Sequence, residues 1–489
     1  MGAGMNLAER YAEWSRPAGR VQEGPSAFSP LRMPREIAPE ELQVRWFAGE
    51  FGNEFISTAG ERVRIVSFGS WNREAGPVFA EAQVSFRGEI PRVGGIEVHT
   101  DPLDWDRLSS PDHESTVLHV FAGGGVGGKR RVVRTVTASG REVPQIVLDV
   151  TALEFAHDEP LAPDPGPDPG AGAEPQRCGC RAPLAKWLVS DPARVERLEA
   201  LLEAAAQYRL CRKAARLARL RHLCGASEGL YQALAETLGY RRNKLPFILL
   251  AQRFPLSLLR RRIGEIEPML FAGSSFLSAT DLGAMAPDTR GYLRELWDLW
   301  WPQRTEFERL TLPASFWTLR GARPVNHPQR RVAALAELVR NWPIIESLAA
   351  ACEVPAIRAF FGGLRHRYWD THFTLTSQAS PRRMALIGPA RVTDMLANVF
   401  FPAAVAASPG RWKDYRQLPA LDSNQKVDEA VARLFGAEKT AEAGERFLKK
   451  AVFQQGILQL FEDHCVDCEG DCDRCALPER LEEWVAARP

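Results

Sequence analysis

Glu97 and His99 stand two residues apart in Gly94-Gly95-Ile96-Glu97-Val98-His99. On a strand, side chains i and i+2 share a face, so this spacing predicts a carboxylate and an imidazole opening into one cleft. Metal-assisted phosphodiester cleavage asks for that combination: a carboxylate to hold a divalent ion, and a base or cation near the attacking water. The segment before it, Ala75-Gly76-Pro77-Val78-Phe79-Ala80-Glu81-Ala82-Gln83-Val84, reads as the neighbouring strand. A second acid at its start would complete the site, but the chain has Val78 there, and valine binds no metal. The expected catalytic set is therefore Glu97 as the ligand of a magnesium ion, His99 as base or orienting group, and Glu81 as substitute carboxylate. A bland reading fits as well, with Glu97 and His99 an exposed hairpin pair and His119 a satisfied core histidine. Asp101, Asp104 and Asp106 read as a solvated loop.

A second constellation lies near the end of the sequence. Cys465, Cys468, Cys472 and Cys475 form Cys-x2-Cys-x3-Cys-x2-Cys, four thiolates in a span that suits one metal ion or one compact cluster. Zinc is the expected ion and an iron–sulfur cluster the alternative. The acids among them, including Asp467, Glu469 and Asp471, point to an exposed knob. Nine cysteines in all, with one dense group, are unlike a secreted disulfide framework. Together with a start that lacks the apolar core of a signal peptide and the absence of a bilayer-length apolar run, they predict a cytoplasmic protein with no membrane partner.

Basic residues form the third candidate. Arg212, Lys213, Arg216, Arg219 and Arg221 fall on one face of a predicted helix. Arg320, Arg323 and Arg330 surround a predicted helix start at Asn326, where backbone amides add to the attraction for anions. These cations suit the phosphates of DNA or RNA. The net charge of +1 confines any such affinity to a local face. Tyr368-Trp369 and His372-Phe373 fit a helical period better as core than as stacking platforms.

The elements that must position these groups divide in two. Residues 1–36, rich in Pro and Gly, read as a flexible arm. A helix from Pro39 and strands near 62–66, 80–86, 95–99, 117–121, 131–136 and 145–148 make a domain over 37–155. A Pro-rich linker fills 156–177. Helical periodicity runs through 178–456, with patterns at 194–224, 230–238, 246–259, 289–301, 330–339, 392–401 and 427–435. Residues 457–489 carry the cysteines and a terminal helix.

Several ordered pieces resemble one family. They are Gly69-Ser70-Trp71-Asn72, Ala75-Gly76-Pro77, Gly95-Ile96-Glu97-Val98-His99, Asp104-Trp105 and Val117-Leu118-His119-Val120 in the first half. Leu238-Gly239-Tyr240 with Asn243, Arg323-Pro324-Val325-Asn326, Tyr368-Trp369, His372-Phe373 and Gln455-Gly456 follow. The chain resembles the bacterial domain-of-unknown-function family 2851, whose first domain looks like a PD-(D/E)XK nuclease, with His99 in the Lys position of the Glu-x-Lys motif. The resemblance implies an Asp after Gly-Pro and two histidines after Asp-Trp. This chain has Val78, Leu108 and Ser110 there. The expected fold class is α+β: a nuclease-like α/β domain with a mixed sheet, then a mainly helical region ending in a four-cysteine module. Two functions follow, a nucleic-acid-associated protein with a degenerate nuclease site, or a non-enzymatic scaffold for protein interaction.

Overall fold

The computed structural model describes residues 7–15, 37–105, 110–123, 134–150, 184, 192–277, 282–320, 324–405, 408–421, 425–436, 446–465, 475 and 477–484. Its sheet contains β1 (Glu54–Ile56), β2 (Arg62–Ser67), β3 (Ser70–Trp71), β4 (Phe79–Phe86), β5 (Arg92–His99), β6 (Thr116–Gly123) and β7 (Gln145–Asp149). The order is β1-β2-β4-β5-β6-β7, with β3 paired to β4. The meander up to β5 is antiparallel, whereas β6 and β7 run parallel to it. The strand expected at 131–136 is replaced over Arg134–Val136 by a single bridge between Val136 and Glu142.

The helices of eight residues or more among the described residues are α1 (Leu7–Ser15), α2 (Pro39–Phe47), α3 (Pro192–Cys224), α4 (Ala226–Leu238), α5 (Tyr240–Arg253), α6 (Ile266–Gly273), α7 (Pro287–Trp300), α8 (Pro328–Arg340), α9 (Trp342–Ala351), α10 (Val354–Gly363), α11 (Gln425–Phe435) and α12 (Ala451–His464). The shorter Leu477–Glu483 is α13. The molecule is thus α+β, with a mixed sheet first and a mostly helical region after it. The helix expected over 246–259 is really two, because Pro255 starts a new one at Leu256. The first part begins earlier, at Tyr240, and is kinked at Asn243. The expected helix at 392–401 starts at Pro389 and passes through a π-turn over Leu396–Phe400.

One sheet face is apolar. Val63, Ile65, Ala82, Val84, Ile96, Val98, Leu118, Val120, Ile146 and Leu148 join Leu42, Val44 and Trp46 of α2 in a core that continues into α4, α5 and α6. Sheet and helices therefore share one core, and the expected division into separate first and helical domains does not extend to their packing. Burying this shared face is what fixes the sheet on the helices. The linker predicted over 156–177 lies outside the described residues.

A second core joins the two ends of the chain. Tyr11 of α1 packs with Leu198, Leu201 and Leu202 of α3, Leu460 and Phe461 of α12, and Leu481 of α13. The Tyr11 hydroxyl donates to Asp463 at 2.7 Å, and the Trp14 indole donates to the carbonyl of Arg480 at 3.0 Å. Residues 7–15 are therefore a docked helix and not part of a flexible arm: Leu7, Ala8, Tyr11 and Trp14 supply an apolar stripe at helical spacing. The boundary expected at 456/457 also falls inside a helix, α12.

Candidate functional site

The outer face of the sheet carries the polar residues. Along β5, Ile96 and Val98 enter the core while Glu97 and His99 point the other way. The period of two in the sequence has that consequence. Parallel pairing then places His119 of β6 and Gln145 of β7 beside them, since Glu97 is opposite His119 and His119 opposite Gln145. Trp105 roofs the group: it is 1% exposed, its indole donates to the Val136 carbonyl at 3.0 Å, and its ring lies 5.3 Å from that of His119.

The polar atoms of this row form a connected set of contacts. Gln145 Nε2, which can only donate, reaches Thr135 Oγ1 at 2.6 Å. His119 Nδ1 lies 2.7 Å from the same hydroxyl, and its Nε2 lies 3.1 Å from His99 Nδ1. His99 Nε2 is 3.2 Å from Glu97 Oε1. The other carboxylate oxygen accepts the backbone N–H of Val78 at 2.9 Å and lies 3.6 Å from His113 Nε2. The Ser110 N–H donates to His113 Nδ1 at 3.2 Å, so the proton of His113 sits on the nitrogen facing Glu97.

Burial alone would raise the Glu97 pKa, but His113, His99 and the Val78 amide together bring it below the usual carboxylate value. His119 is pushed down to about 3 by burial and by neighbouring His99, against the pull of Glu97. A neutral His119 fits its place between the Thr135 hydroxyl and the His99 imidazole.

Two close backbone approaches explain the glycines around the site. Gly69, at a φ of 79°, lies so near β4 that a Cβ would come within 2.1 Å of the Ala80 carbonyl. Gly95 lets Pro77 lie over the sheet, where a Cβ would meet the Pro77 ring at 2.1 Å. Pro77 thereby sets Val78 N–H against Glu97. Between Phe79 and Ala82 the β4–β5 register shifts, and Glu81 sits in that irregularity with a φ of 57°. Its side chain is exposed while Glu97 is buried. The structure thus joins Glu97 with His99 and leaves Glu81 out, because the bulge breaks the alternation that would have aligned them.

One carboxylate faces inward, both its oxygens already receive donors from the chain, and the predicted second carboxylate faces solvent. Among the described residues, no group of three or more His, Cys, Asp or Glu is set out to hold a metal. The sequence reading passes over His113, Thr135 and Gln145. The strand period could have found Gln145; His113 belongs to a capped turn over Pro111–Ser115, where spacing carries no signal.

The predicted cation residues scatter. Arg216 is held by Glu236 at 2.9 Å and Glu50 at 3.3 Å. Arg330 is fully buried and donates to the carbonyls of His372 and Ala385 at 2.8 and 2.7 Å, with Trp369 also an acceptor. It is turned inward and unavailable to a nucleic acid. Arg219 and Arg320 are exposed, and Arg323 and Leu108 lie outside the described residues. Of the cysteines, Cys465 follows the last residue of α12 and Cys475 precedes α13, both packed on the second core. Cys468, Cys472, Cys178 and Cys180 lie outside the described residues. Tyr368 stacks between Tyr292 and His372 at 4.2 and 3.9 Å, as core.

The family model of a protein of unknown function (DUF2851) matches residues 40–428. The chain belongs to this family. The match takes in the whole polar row and α8, and it leaves α1, α12, α13 and the four clustered cysteines outside. No curated protein and no solved structure matches the chain. No helix among the described residues is long and apolar enough to cross a membrane.

Proposed function

We propose that this chain is a nucleic-acid-associated protein whose first domain keeps a nuclease-like plan as a binding module and not as a metal-dependent cutter. The plan is supported by a helix, an antiparallel meander and then a parallel strand, with Glu97 and His99 side by side on β5 and Val78 opening β4. That likeness is one of arrangement and says nothing alone of activity. The observation that carries the loss of cutting is the Val78 N–H at 2.9 Å from Glu97: where an acid would add a second metal ligand, the backbone neutralises the first. Binding is supported by the open end of the same outer face, where Arg62 and Arg64 of β2 are exposed beside Val66 and Val93. Arginines on a sheet face suit backbone phosphates, and their affinity falls with salt.

The test is a gel-shift series over salt with the full chain, run beside a magnesium-dependent cleavage assay. The expected result is a salt-sensitive shift without cleavage. Absence of any shift at low salt removes nucleic acid and leaves the protein-scaffold reading; cleavage that disappears in Glu97→Gln overturns the loss of cutting. The Cys465, Cys468, Cys472 and Cys475 spacing supports a thiolate-bound zinc or iron–sulfur centre. Elemental analysis of anaerobically purified protein without either metal would remove that part.

A further inference from the structure

The sequence places an anion site at the start of α8 and assigns Arg330 to it. Arg330 is spent on carbonyls, and the next residue on a carbonyl, an amide and a phenol. Arg331 is 2% exposed and makes no ion pair among the described residues. Its guanidinium donates to the Leu386 carbonyl at 3.1 Å, to Asn326 Oδ1 at 2.6 Å and to the Tyr240 hydroxyl at 3.3 Å, while its Nε has no partner. Arg391 also lies over Tyr240, 3.2 Å from its ring centre, and donates to the Thr237 carbonyl at 3.0 Å. Tyr240 itself is held at a φ of 52°, a conformation that costs a non-glycine residue about 1 kcal/mol or more.

Charge accounting sharpens this. Arg330, Arg331 and Arg391 meet within one corner, with Asp394 paired to Arg391 at 3.0 Å and Asp370 acting on Arg330. Burial brings Arg330 and Arg331 down to about 10, and the neighbouring arginines add to the effect. Among the described residues Arg331 is left without an ion pair, an arrangement that is costly unless something negative joins it. The α8 N-terminus adds donors: its cap residue His327 makes no side-chain capping bond, and His327 Nδ1 is buried without a partner.

We propose that Tyr240, Arg331 and Arg391, with the start of α8, form a site for a phosphate group. Arg391 and Tyr240 are half-buried and supply the accessible rim, while Arg331 supplies the fixed charge behind it. A planar guanidinium suits phosphate oxygens, and helix-start amides complete the cradle. The site deepens the nucleic-acid reading above, and it would serve a nucleotide or free phosphate equally.

The experiment measures melting of the full chain in inorganic phosphate against chloride at matched ionic strength, for the wild type, Arg391→Gln and Tyr240→Phe. Arg391→Gln is the main variant because Arg331 is too buried to replace without risk to folding. The expected result is phosphate-specific stabilisation of the wild type, with apparent affinity weakened about tenfold or more in Arg391→Gln, as loss of one charge-assisted bond predicts. A parallel titration with a nucleotide and with a single-stranded oligonucleotide separates the sources. Phosphate binding without oligonucleotide binding keeps this site and overturns the nucleic-acid reading. Oligonucleotide binding untouched by Arg391→Gln, or phosphate stabilisation equal in the variant and the wild type, overturns this site.

Discussion

On the outer face of the sheet, one carboxylate is surrounded by groups that donate to it; at the start of α8, two guanidiniums are surrounded by groups that accept from them. Glu97 receives Val78 N–H and two imidazoles. Arg330 and Arg331 give their protons to backbone carbonyls, an amide and a phenol. The carboxylate cluster can respond to pH, because histidines run its whole length. The guanidinium cluster cannot, since arginine keeps its proton, and it is left to respond to anions. Glu97 is thus enclosed by donors of its own chain, while Arg331 is a buried charge without an ion pair among the described residues.

The comparison can be broken by substitution, and the largest effect belongs to the arginine side. Arg330→Ala strands several buried carbonyls and should cost about 3–5 kcal/mol, read as a lower midpoint in urea unfolding. A loss below about 1 kcal/mol would mean that water replaces the guanidinium. On the other side, stability should fall in acid. The His119 pKa is depressed to about 3 in the fold, so below the ordinary imidazole value near ~6.5 the unfolded chain binds the proton first. Its contribution is complete above that pH and is lost as pH drops, at roughly 1.4 kcal/mol per unit. His119→Gln should flatten the decline between about pH 6.5 and pH 4.5, measured by urea midpoints across pH; an unchanged slope would contradict a buried, neutral His119.

Glu97→Gln should cost about 1–3 kcal/mol, because an amide cannot accept all the donors around it. Glu97 also has a lowered pKa, so its own contribution is present above about pH 4.3 and disappears below. Glu81→Gly sets the lower limit. The residue is exposed at a φ of 57°, and glycine there should be neutral or stabilising by less than about 1 kcal/mol. A clear loss on replacing Glu81 would return it to the site.

The strand period made Glu97 and His99 legible as neighbours on one face. It failed for Glu81 because a bulge is a backbone event, and the signal was the distant Gly69 whose close approach accommodates it. Arg330 and Arg331 are adjacent and chemically alike, so helix phase alone decided which would face carbonyls and which Tyr240. Proline and glycine content made residues 1–36 look loose, yet the apolar stripe of residues 7–15 found a partner surface more than four hundred residues away in sequence, at Asp463 and Arg480. Such a contact leaves no local trace.

The central claim is that Glu97 is closed to metal by its own chain. Isothermal titration of magnesium, and then manganese, into the full chain and into Glu97→Gln tests it most directly. The account predicts the same trace for both proteins, with no heat that depends on Glu97. A saturable binding isotherm in the wild type that vanishes in Glu97→Gln would contradict it.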